Sequence, residues 1–168
     1  MNIQRPIDPG KDQDLYGADF HAWTVAQRDA LARGDASALD WDKLAEEIGD
    51  LGVSQERELE SRLVVIAEHL LKYEYGTRRE PARGWKRTLV VQRDEMERLV
   101  RRSPSLRSRI AEVALEGYAS ARRRALASFE EHEPAMLDTH AGLLPDRLPY
   151  EPEALLDPDF LPEPRPAG

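Results

Sequence analysis

Four histidines, His21, His69, His132 and His140, are the side chains that could carry a proton near neutral pH or hold a metal. Carboxylate-bridged metal bundles place Glu on two helices and a Glu-x-x-His pair on two others. None of the four histidines has Glu three residues before it. Glu47, Glu58 and His69 recur every 11 residues and align on an unbroken helix. At 1.5 Å per residue they still stand about 16 Å apart, too far for one ion. Ser61 and His69 are eight apart on one helix and cannot meet, and there is no Gly-x-Ser-x-Gly elbow. Phosphate-cradling glycine loops are absent, and with no Cys there is no thiolate chemistry and no disulfide. The sequence therefore predicts a non-catalytic protein with no metal and no cofactor.

Two constellations have the chemistry of binding. The first is Glu58, Arg62, His69 and Gln92. Gln92 lies mid-stripe on an apolar helix face, where a buried amide needs partners. An antiparallel turn near 78–79 sets it opposite residue 65, between Arg62 and His69. Glu58 is one turn before Arg62 and can pair with it. The bland reading, a satisfied network that sets helix register, is the expectation; a small lined pocket is the alternative. The second is Arg78, Arg79, Arg83, Lys86 and Arg87, set around Trp85 near Tyr73 and Tyr75. Arginines mixed with aromatics can hold phosphate and stack bases. The expectation is again the plainer one: Trp85 anchors the core and the cations sit in water. Arg122–Arg124 reads as a solvated helix face.

Periodicity supplies the elements that carry these groups. Tyr16, Phe20, Trp23, Gln27, Ala30 and Leu31 follow helical spacing over 14–33, with Gly34 as C-cap. A second segment runs over 41–75 with Asp40 as N-cap. Gly49 and Gly52 each cost about 1 kcal/mol there. Its unbroken length of about 52 Å exceeds the roughly 40 Å diameter of a compact domain of this size. An interruption or bend between Gly49 and Ser54 is therefore expected. A third segment, 83–102, carries Trp85, Leu89, Gln92, Met96, Leu99 and Val100. A fourth, 104–128, opens on Ser103 as N-cap and Pro104 at the first helical position. In it Ala114, Gly117 and Ala121 permit close approach of a neighbour. No strand pattern competes. The predicted class is all-α, an antiparallel four-helix bundle with a proline-rich C-terminal arm packed across it.

Seven of the 12 prolines fall in 145–168, so no helix crosses that stretch. Tyr150, Leu155, Leu156, Phe160 and Leu161 predict an ordered arm all the same. The expected organisation is a flexible 1–13, one helical domain over 14–161 and a loose end from 162.

Hydrophobic residues make up 40% of the 168, enough for a core, and no apolar run reaches the roughly 18 residues a membrane helix needs. The N-terminus shows no apolar signal region, which predicts a cytoplasmic protein. Charge runs in blocks: −6 over 40–76, +8 over 77–125 and −8 over 126–168. Basic helices beside acidic ones neutralise each other internally, and the net −8 opposes a polyanionic partner.

Several motifs are familiar. They are Asp-Phe-His-Ala-Trp at 19–23, Leu-Ala-Glu-Glu-Ile-Gly-Asp-Leu-Gly at 44–52, Leu-Glu-Ser-Arg-Leu at 59–63 and Glu-His-Leu-Leu-Lys-Tyr at 68–73. Gly-Trp at 84–85, Ser-Pro-Ser-Leu at 103–106, and the closing Leu-Pro-Tyr and Leu-Leu-Asp-Pro-Asp-Phe continue the series. In this order they resemble the bacterial domain of unknown function 29 family over about 14–161. Tyr73 stands where other members often have Trp. The resemblance implies a compact all-helical fold and carries no activity or catalytic residue.

The functional expectation is a non-catalytic helical interaction protein, with a protein partner or a second copy of itself. The alternative is a small nucleic-acid-associated regulator using 78–87, and beyond it a metal or acid/base enzyme.

Overall fold

A computed structural model of the chain describes residues 12–77 and 82–165. Among them there is no strand; the all-α class stands. The helices are α1 (Asp12–Ala18), α2 (Phe20–Arg33), α3 (Trp41–Tyr75), α4 (Ala82–Arg102), α5 (Ile110–His132) and α6 (Leu137–Leu143). Short 3-10 turns cover Ala36–Ala38, Pro104–Arg109, Pro134–Met136 and Pro152–Leu155. Among the described residues no helix is long and apolar enough to cross a membrane. The chain forms two compact units, 1–53 and 54–168, and α3 contributes residues to both.

The expected interruption of the second segment is absent: α3 is one helix of 35 residues. Two glycines cost about 2 kcal/mol in all. Breaking the helix would leave up to four C=O groups unbonded at one new end and up to four N–H groups at the other. No proline in 46–57 forces a break, and neither glycine takes the left-handed conformation that would close a helix end there. Good helix formers such as Glu46, Glu47, Leu51, Gln55 and Arg57 carry the segment through.

In the first unit the expected single helix over 14–33 is split at Asp19. Its side chain accepts a hydrogen bond from the Ala22 N–H (2.9 Å) and starts α2 afresh. Trp23 is buried, edge-on to Tyr16 (4.9 Å between ring centres) and stacked near Phe20 (5.7 Å). Gly34 closes α2 in the left-handed region (φ 68°), where a side chain would be strained. Asp40 caps α3 by accepting from the Lys43 N–H (3.2 Å).

In the second unit the core joins Leu59, Leu63, Ile66 and Leu70 of α3, Leu89, Met96 and Leu99 of α4, and Ile110, Val113 and Phe129 of α5. The small stripe on α5 does what its composition predicts. A Cβ on Gly117 would lie 2.8 Å from Val64 Cγ2, so only glycine lets α3 come this close. The start of the fourth segment differs from expectation. Pro104 opens a 3-10 turn, α5 begins only at Ile110, and Ser103 is not a side-chain cap. Its hydroxyl donates instead to Gln55 Oε1 (2.8 Å).

The C-terminal arm is ordered. Tyr150 and Leu155 are buried, and Phe160 and Leu161 pack against the same core. Residues 162–165, expected to be loose, are held by Arg165. Its backbone N–H donates to the Glu74 carbonyl (2.8 Å), and its Nε donates to Glu74 Oε1 (2.8 Å). Glu74 Oε2 accepts from the Tyr150 hydroxyl (2.8 Å), so one buried carboxylate ties α3 to two points of the arm.

Candidate functional site

Three of the four residues in the expected polar cluster meet. Arg62 donates from Nε and Nη2 to Glu58 Oε1 (3.1 and 2.7 Å) and from Nη1 to Gln92 Oε1 (3.3 Å). Glu95 and Arg102 extend the group, at 3.7 Å from Arg62 and 3.6 Å from Glu58. Heptad-like spacing on α3 puts Glu58 one turn from Arg62, and the stripe of α4 aims Gln92 at them. His69 stands apart. Its Nδ1–H donates to the Val65 carbonyl of its own helix (2.8 Å). Burial and the nearby Lys72 charge push it below the usual histidine range, so it stays neutral near pH 7. Gln92 and Arg62 are half-buried, and no side-chain polar atom of the group is buried without a hydrogen-bond partner. Gln92→Leu is expected to change stability by no more than about 1 kcal/mol, because Arg62 keeps both carboxylates. Chemical denaturation of the two proteins checks this.

The basic stretch is looser. Arg78 and Arg79 lie outside the described residues. Arg83, Lys86 and Arg87 are exposed, with Lys86 Nζ 5.1 Å from the Tyr73 ring centre. Trp85 is half-buried and not one of the core residues, which corrects the expectation of a core anchor. The physical reason is its place in the first turn of α4. There it covers Gly76, whose Cβ would come within 3.1 Å of the indole, and Lys72, whose Nζ is 5.8 Å from the ring centre.

Sequence reasoning missed three features. The first is Arg93, in the middle of α4 and 5% exposed. Its Nε donates to the Leu155 carbonyl (3.0 Å), Nη1 to Pro158 (3.4 Å) and Nη2 to Ala154 (3.5 Å). Burial pushes the guanidinium below its ordinary range, and it remains charged at neutral pH. Arg93 also lines a cleft of about 550 Å³. The second is His140, almost fully buried, stacked on Phe129 (4.2 Å) and 3.0 Å from Glu133 Oε2. The same carboxylate oxygen accepts from the Thr77 N–H (3.1 Å) and the Thr77 hydroxyl. Local periodicity could not signal the Arg93 contacts or the Thr77–Glu133 one, whose partners lie 56 to 65 residues apart, whereas Glu133 and Phe129 stand only seven and eleven residues before His140. Among the described residues no three His, Asp or Glu side chains converge for a metal ion.

The third feature is the exposure of an apolar face on the first half of α3, whose stripe of Leu44, Ile48 and Leu51 is legible in the periodicity. Trp41, Ile48 and Leu51 are 60%, 67% and 66% exposed. With the half-buried Leu44, they recur at 3-4-3 spacing and share one side of the helix. Asp42, Glu46 and Asp50 fall on the opposite side. Gly52 lies within the apolar face, with nothing within 4 Å of where its Cβ would be.

No curated protein and no solved structure matches the chain. One family does match, over residues 15–161: the domain of unknown function DUF29. That span takes in the α3 face, the Arg62–Gln92 pair and the Arg93 cleft, and the chain belongs to this family.

Proposed function

We propose that the protein is a non-catalytic interaction module that associates with a second copy of itself through the first half of α3. Residues 54–165 serve as its scaffold, read as antiparallel α3, α4 and α5 with the arm packed across them. The observation that carries the reading is the exposed face of Trp41, Leu44, Ile48 and Leu51. Contiguous apolar surface rimmed by charge marks association sites, whereas single exposed apolar residues do not. Three details favour a second copy as the occupant. Asp42, Glu46 and Asp50 point away from the face, and Glu47, beside Leu44 and Leu51, accepts from the Tyr16 hydroxyl (2.6 Å), so two copies can meet in antiparallel register with few opposing like charges. Gly52, which costs about 1 kcal/mol in a helix and packs on nothing in the monomer, allows two backbones to approach. The contact is also self-complementary, as a two-fold pair requires.

The test is sedimentation velocity of the full chain from 1 to 100 µM, at low and at moderate salt. Dimer is expected, tightening as salt screens the repulsion between two chains of −8 each. Replacing Ile48 and Leu51 together by Asp should give monomer with unchanged helix content by circular dichroism. A wild-type protein that stays monomeric throughout, or a double variant that still dimerises, would end this reading.

A further inference from the structure

The cleft beside Arg93 contains no residue of the first half of α3. It lies between α4, the Pro104–Arg109 turn, the start of α5 and the arm at Leu156 and Pro158. Its volume, about 550 Å³, is within the ~300–1,000 Å³ range of small-molecule sites. Val100, Ile110 and Leu156 give it an apolar lining, and Arg93, Arg101 and Arg107 give it charge.

The character of Arg93 is the decisive observation. A buried cation is as a rule matched by an anion, because taking a charge out of water is expensive. Arg93 is matched only by three backbone carbonyls, and it forms no ion pair among the described residues. The nearest acidic influence is the exposed Asp157, beyond ion-pair distance. Three carbonyls could be satisfied by a neutral donor at lower cost. The carbonyls do something else: they fix the plane of the guanidinium. Five N–H groups are available, three are used, and the other two have no acceptor among the described residues. Arg107, on the same cleft, is exposed, and its side chain has neither an ion pair nor a hydrogen bond among the described residues. Arg101 is already paired with Glu97 (2.5 Å).

We propose that this cleft binds a small amphipathic carboxylate, its planar head on Arg93 and Arg107 and its hydrocarbon body against Val100, Ile110 and Leu156. A carboxylate is preferred over a phosphate for two reasons. Guanidinium forks match a planar two-oxygen head bidentately. Asp94 and Glu97 line the same cleft and penalise a dianion. The sequence hides the site because its floor comes from one helix and its far wall from a segment some 60 residues later.

Octanoate, with 1-octanol as its uncharged counterpart, tests the assignment on the full chain by calorimetry and backbone amide chemical shifts. Octanoate is expected to bind at least tenfold more tightly than 1-octanol, with shifts concentrated on 93–110 and 154–158. Arg107→Glu should weaken it tenfold or more at unchanged thermal midpoint, while Arg123→Glu, on an exposed stretch of α5, should leave it unchanged. Arg93→Met should lose binding, but it also frees the arm, so Arg107→Glu is the deciding variant. Equal binding of the alcohol, shifts that map elsewhere, saturation failing below 10 mM or an indifferent Arg107→Glu would each overturn the proposal.

Discussion

Replacing Phe129 by alanine is expected to lower the unfolding free energy by about 3–5 kcal/mol. The ring is 1% exposed and belongs to the core formed by α3, α4 and α5. Its removal costs more than lost transfer energy. The ring also forms one wall for the imidazole of His140, stacked 4.2 Å away. His140 Nδ1 is buried with no partner among the described residues, and Nε2 sits 3.0 Å from Glu133. A cavity there loosens a polar group that depends on its surroundings for position. Domains of this kind have only about 5–15 kcal/mol in total, so the variant should be partly unfolded at body temperature. Urea titration followed by circular dichroism gives the number. Leu115→Ala on the same helix, 60% exposed, is the control and should change stability by less than about 0.5 kcal/mol. Similar losses from the two variants would contradict the packing described.

The second large effect is alkaline. Burial pushes the Tyr118 phenol up to about 12. Burial first, and then the hydrogen bond to Glu74, push Tyr150 upward as well. Both hydroxyls donate, to the Pro145 carbonyl (2.6 Å) and to Glu74 Oε2 (2.8 Å), and a phenolate cannot donate. The sign follows from proton counting. In the unfolded chain these phenols release their protons near pH 10, while in the native protein they hold them. The native state then binds more protons, so stability falls as pH rises above about 10. Below pH 10 both states are protonated and the contribution is constant. Each phenol contributes a slope of about 1.4 kcal/mol per pH unit, which for Tyr118 ends near pH 12. Thermal midpoints from pH 8 to 11.5 should hold steady and then drop. Tyr150→Phe should be less stable at pH 8 but lose less on going to pH 11, because one of the raised titrations is gone. A midpoint unchanged to pH 11 would show that neither phenol is held as described.

The Arg62–Gln92 pair shows how far sequence reasoning reaches. Counting along two helices from a turn sets residue 92 opposite residue 65, within a turn of Arg62, and the rigid rise of 1.5 Å per residue makes such counting reliable over a few turns. The same counting could not place His69. A ring that can donate to the carbonyl four residues back needs no partner across the interface, and local geometry won. The failure at Gly49 and Gly52 has a similar cause. Glycine disfavours a helix interior, but a helix end has its own cost in unbonded backbone groups, and here that cost exceeds two glycine penalties.

What the sequence by itself determined is local. The all-α class, the apolar stripes of Leu59–Leu70 and Leu89–Leu99, the cap at Asp40, the turn at Gly34 and the close contact at Gly117 all follow from spacing within one helix. Such features depend on residues within a few positions of each other, and helix geometry is the same wherever it occurs. The tertiary structure alone decided which polar groups are buried and by whom. Arg93 reads as one more cation of a basic block until the carbonyls of 154–158 close over it. Glu74 reads as a solvated acid until Tyr150 and Arg165, 76 and 91 residues later, reach it. Trp41, Ile48 and Leu51 have the periodicity of a buried face, yet they are exposed. Periodicity records that a face is apolar; only the packed structure decides what, if anything, covers it.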